Sequence, residues 1–292
     1  MSDQDLSALP IILLFFSILA GSLFLWLRKS SRNPLHLGCD HHKLSTWPIS
    51  WTDFGIFIFI IFLSILAAQS LLNPLLPDSS ELADTELLDP KIAFLGILSL
   101  HVPILLAFSL FPKYYKSAPS LKLNAVSTDL FVDLRIAFAA FIQILPIIWI
   151  AAIFWNVFLS ILQSLSLIEE FPIQPIVELL TQDISVTQFL LLGLLAIVLA
   201  PITEEILFRG CLYRFLKGEI PLLTAQFSTA ILFALAHNNL SSFLPLVLVG
   251  FVLVRLYESS GSIRQAMFFH SFFNASSFIF LCLIKYSGLP LE

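Results

Sequence analysis

Residues 186–210 read VTQFLLLGLLAIVLAPITEEILFRG. From Phe189 to Ile202 no side chain is polar. Thr203, Glu204 and Glu205 then follow together, with Arg209 four residues after Glu205. A membrane-crossing helix needs about 20 mostly apolar residues, and this stretch reads as one. Ionisable groups inside a span are costly and mark function by default. Adjacent residues on a helix point about 100° apart, so the two glutamates cannot share one task. Glu205 and Arg209, at i and i+4, fall on one face and predict an internal ion pair, which leaves Glu204 on a different face. Pro201 removes a helix hydrogen bond just before the carboxylates and predicts a kink where water or a polar ligand can enter.

The rest of the chain has the same character. Of 292 residues 58% are hydrophobic and 12% charged, and the mean hydropathy is +0.93. Soluble domains carry ~25% charged residues. A soluble globular enzyme, a disordered chain and a nucleic-acid binder are therefore excluded. Apolar runs predict eight segments, at about 9–27, 52–72, 91–111, 131–167, 187–216, 222–237, 243–257 and 263–284. The expected fold class is all-α, a polytopic transmembrane helix bundle of about eight spans. The fourth and fifth segments are long enough to tilt or to kink at Pro146 and Pro201, and the seventh is short enough to be half-inserted. Cys39, Cys211 and Cys282 lie far apart without metal-ligand spacing and read as free or buried thiols.

Charge sorts by loop. Segment 28–50 carries Arg28, Lys29, Arg32 and Lys43, whereas 73–90 carries Asp78, Glu81, Asp84, Glu86 and Asp89 with no Lys or Arg. Segment 112–130 carries Lys113, Lys116 and Lys122, whereas 168–186 carries Glu169, Glu170, Glu178 and Asp183. Arg214 and Lys217 precede the next turn, and Arg255 and Arg264 flank the last. By the positive-inside rule both termini lie outside the cytoplasm. The first apolar run follows an acidic leader and is longer than a signal core, so it reads as a retained anchor. The pattern suits a multi-pass protein of a bacterial inner membrane.

Polar residues concentrate in the second half. Before residue 186 the spans hold only isolated groups: His101, read as a packed or interfacial histidine, Arg135, which can snorkel, and the uncharged Gln69 and Gln143. Asp129 and Asp133 stand at a span entrance. The sixth segment ends in Phe233-Ala-Leu-Ala-His237, and the eighth contains His270-Ser-Phe-Phe-Asn274, with His and Asn on one face. At ~1.5 Å per residue, Glu204 and His237 both fall ~20 Å from the turn near 217–221. Asn274 falls ~18–20 Å from the turn near 259–262, and His270 somewhat shallower. Glu204, His237, His270 and Asn274 can thus share one intramembrane layer.

A carboxylate beside histidines in a water-poor cavity suits water activation as a general base. A second histidine and an Asn amide can donate to the oxyanion of a tetrahedral intermediate. Glu204, His237 and His270 also match the ligand types of Zn²⁺, although no His-Glu-x-x-His segment is present. Sequence alone leaves both routes open. No Gly-x-Ser-x-Gly or Gly-x-Gly-Asp segment and no phosphate-binding glycine loop occurs, and Ser260-Gly261-Ser262 reads as a turn. The alternatives are a non-catalytic immunity- or chaperone-type membrane factor, or a proton-coupled transporter, since buried charges also mark ion pathways.

These residues resemble a known family. Glu204-Glu205-x-x-x-Arg209-Gly210, then Phe233-x-x-x-His237, then His270-x-x-x-Asn274 is similar to the CAAX protease and bacteriocin-processing family, also called type II CAAX prenyl endopeptidase or Abi. The resemblance covers about 185–284, with Ala200-Pro201 and Phe208 as further family-like context. It implies an intramembrane endopeptidase with its catalytic core in the C-terminal four helices, residues 186–292. Residues 1–185 form an N-terminal membrane region without an assigned motif. Glu204 is implied as the acid that activates water, assisted by His237; His270 and Asn274 complete the site, and Glu205 and Arg209 support it. The implied partners are the bilayer and a membrane protein or lipidated peptide as substrate. The family is often described as metalloproteases, and a metal-free glutamate mechanism has also been proposed for it.

Overall fold

A computed structural model describes residues 3–27, 44–72, 74, 90–114, 124, 129–168 and 185–287. The eight apolar segments form eight helices among them: α1 (Asp3–Leu27), α2 (Trp51–Leu72), α3 (Pro90–Tyr114), α4 (Leu130–Ser164), α5 (Val186–Glu219), α6 (Leu222–Ala236), α7 (Phe243–Ser260) and α8 (Ile263–Ser287). No strand occurs among the described residues, and an isolated bridge pairs Asn124 with Ser262.

Among the described residues, six helices are long and apolar enough to cross a membrane. Their outward side chains, such as Phe59, Phe62, Ile150 and Phe154, expose large apolar surfaces that only lipid would cover without penalty. The chain is an integral multi-pass membrane protein. α6 has 15 residues, ~22 Å of helix, and is short for a ~30 Å hydrocarbon core. α7 is longer than its expected 243–257. It runs on through Glu258 to Gly261, whose φ of 71° is the left-handed cap that glycine adopts without strain. Of these six helices α7 is the most enclosed. α4 passes through Pro146 without interruption.

The helices fall into two compact units. One contains α1, α4, α6, α7 and α8; in it α6 packs on α7, while α1, α7 and α8 each pack on α4. Asp133 of α4 is fully buried and ties the start of α8 to α4. Its Oδ2 accepts from Ser262 Oγ at 3.0 Å and Arg264 Nε at 2.9 Å, and its Oδ1 accepts from Gln265 Nε2 at 2.8 Å. A single aspartate at a span entrance is thus the hub of a buried network.

The other unit contains α2, α3 and α5. Ahead of α2, residues 45–50 dock on the end of α5. Trp47 N–H donates to Arg214 O at 3.0 Å, and Arg214 donates to Ser45 O at 2.8 Å and Ser45 Oγ at 2.6 Å. Phe215 stacks on Phe54 with ring centroids 4.1 Å apart. Arg214, which the sequence offers as a loop cation, is instead buried in this joint. The charges of 28–43, 75–89, 115–123 and 169–184, with Cys39, lie outside the described residues.

Candidate active site

Pro201 has no N–H, and its ring crowds the carbonyl four residues back, so the regular α-helical bond at that residue is lost. The chain widens instead. Leu195–Leu199 is π-helical, and Ala200 N–H bonds Leu195 O, five residues back. A second π segment, Ile206–Tyr213, follows the short α-helical piece Ala200–Glu205. Such segments are rare and cluster at functional sites. The two glutamates therefore sit on a six-residue turn bounded by π-helix on both sides. Sequence reading expected a kink here and missed the π segments, because a proline marks a broken bond but not its repair.

The expected ion pair between Glu205 and Arg209 is present. Glu205 and Arg209 are both fully buried, with Arg209 Nη1 donating to Glu205 Oε1 at 2.8 Å. Glu204 is partly exposed. The Arg209 guanidinium lies within electrostatic reach of both carboxylates. Thr203, one residue before Glu204, is fully buried, and its Oγ1 lies 3.0 Å from Leu199 O and 3.0 Å from Ala200 O. From α3, buried His101 hydrogen-bonds Thr203 Oγ1 through Nδ1 and is in electrostatic reach of Glu204. No signal in the sequence links His101 to Thr203, because 102 residues separate them.

The other unit positions the histidines. α6 ends at Ala236 in tightened turns, His237 N–H bonding Ala234 O at 3.2 Å. That releases Phe233 O, which accepts from His237 Nδ1 at 2.7 Å. A carbonyl only accepts, so Nδ1 carries a proton and, in the neutral ring, Nε2 holds the lone pair. Asn238 follows at φ 45°, a left-handed turn that Asn tolerates. Asn239 Oδ1 accepts from Ser241 Oγ and Ser242 N–H, and Trp155 Nε1 donates to Leu240 O, which fixes the loop behind the histidine. Phe233 is shared: the His237 ring lies edge-on at 4.6 Å and the buried His270 ring at 5.5 Å. The two histidines thus meet the same aromatic ring. Asn274 lies one turn beyond His270 on α8 and is half-buried.

A family model described as type II CAAX prenyl endopeptidase Rce1-like matches residues 186–276. The C-terminal region of this chain is similar to that family. The match runs from the start of α5 into α8 and includes Glu204, Glu205, Arg209, His237, His270 and Asn274. No curated protein and no solved structure matches the chain. Catalytic zinc needs three protein ligands. Within each unit, among the described residues, no group of three His, Cys, Asp or Glu side chains converges to hold a metal ion.

Proposed function

We propose that this chain is an intramembrane endopeptidase that hydrolyses a peptide bond of a membrane-associated protein or lipidated peptide, with its catalytic core in residues 186–292. The observation that carries this reading is the separation of roles at 204 and 205. Arg209 bonds Glu205 in the buried interior, while Glu204 is only partly buried on a turn bounded by π-helix. In the proposed reaction Glu204 takes a proton from water as the water oxygen attacks the scissile carbonyl. His237, with its lone pair on Nε2, holds that water. His270 and the Asn274 amide donate to the oxyanion of the tetrahedral intermediate. Collapse of the intermediate breaks the C–N bond, and the proton held by Glu204 passes to the leaving amine. The family match to an endopeptidase supports the reaction class.

Comparison of membrane-protein termini in cells carrying the wild type or Glu204→Gln at equal membrane level tests the reading. Termini formed by the wild type disappear in the variant, whose thermal unfolding in detergent is unchanged. Persistent cleavage overturns the role of Glu204. Identical termini with the cellular phenotype retained assign the chain a non-catalytic membrane role. Zinc measured per purified chain decides whether Glu204, His237 and His270 act as ligands instead.

A further inference from the structure

We propose that His101 is a positioning residue for Glu204, acting through the Thr203 hydroxyl; this rests on the reading of Glu204 as the base that activates water. Thr203 Oγ1 has two backbone carbonyls, of Leu199 and Ala200, at 3.0 Å. A hydroxyl carries one proton, and oxygen lone pairs facing carbonyl oxygens would repel, so that proton is given to a carbonyl. Oγ1 must then accept from His101, which places a proton on Nδ1 and the lone pair on Nε2. The bond links α3 to α5 at the turn where π-helix gives way to α-helix, one residue before Glu204. Regular hydrogen bonding is interrupted there by Pro201, so the turn lacks one of the internal bonds that would hold its register. An external donor fixes it.

Packing alone does not explain a histidine at this place. His101 is buried in an apolar span, where a leucine would fill space without desolvating ring nitrogens. What the histidine adds is a directional donor to Thr203 and a dipole in electrostatic reach of Glu204. Misplacement of a reacting group by ~1 Å costs ~100-fold in rate.

The test measures the rate at which Glu204-dependent termini form in cells carrying full-length variants, together with thermal unfolding in detergent. His101→Leu keeps the packing and removes the donor, whereas His101→Asn keeps an N–H near the position of Nδ1. Thr203→Val and Thr203→Ser form a second pair, without and with the hydroxyl. The expected result is a ~10- to 100-fold slower reaction for His101→Leu and Thr203→Val. His101→Asn and Thr203→Ser stay near the wild-type rate, with folding intact throughout. Wild-type rates in His101→Leu overturn the inference. If His101→Leu fails to fold, the Thr203 pair decides, and equal rates for Val and Ser overturn it. If Glu204→Gln leaves every terminus in place, the base itself is misassigned and the positioning role falls with it. Loss in Glu204→Gln beside full activity in His101→Leu rejects the positioning role alone.

Discussion

At position 205 a fully buried carboxylate bonds Arg209 at 2.8 Å, while its neighbour at 204 stays partly exposed. Removing one member of a buried pair strands the other charge, at a cost of ~3–5 kcal/mol. Glu205→Gln and Arg209→Met should each lower the thermal unfolding midpoint in detergent by that much stability. Replacing both with Met should recover most of the loss, because apolar residues of similar volume often match a buried ion pair. A double variant no better than the singles would mean that the pair holds more than itself. This pair was legible in the sequence because i,i+4 contact is local. The His101–Thr203 bond and the Asp133 network were not. Their partners lie 102 and 129–132 residues apart, and only tertiary packing brings them together.

At the scale of the element, most helix edges were legible because hydropathy and turn residues mark them; α1 starts at Asp3, ahead of its expected start near residue 9, and α7 outran its expected end where Glu258 and two serines continue the helix to Gly261. The local repair at Pro201 was hidden, as was the close approach of α6 to α7. At Gly250 an added Cβ would stand 3.0 Å from Ala230 Cα, 3.1 Å from Ala230 O and 3.2 Å from the Phe233 ring. Two of those atoms are backbone, so the helices must part slightly and the ring must turn as well. Overpacking of this kind costs ~1–3 kcal/mol. Phe233 also carries the edge contacts of His237 and His270. Gly250→Ala should therefore reduce cleavage more than its loss of stability explains, read as the rate of terminus formation beside the unfolding midpoint. An unchanged rate in a destabilised variant would show that Phe233 does not set the histidines.

For the whole molecule, the number of crossings decides on which side the chain ends. Six helices have the length and apolarity to cross, and α1 and the 15-residue α6 complete the expected eight. An even number returns the C-terminus to the side of the N-terminus, which the positive-inside rule predicts to be outside the cytoplasm. α6 is the weak step, because ~22 Å of helix crosses only where the bilayer thins or flanking residues snorkel. If it crosses, the loop after α6 and the C-terminus are both outside, and the end of α5 is inside. Single cysteines in a full-length chain lacking Cys39, Cys211 and Cys282 read this directly. An impermeant maleimide should label Leu240→Cys and Glu292→Cys in intact cells, and Glu219→Cys only after lysis. Protection of both Leu240→Cys and Glu292→Cys would mean seven crossings, with α6 returning to its own side. The loop that holds His237 would then face the cytoplasm, and the depth argument that groups His237 with Glu204 would fail with it.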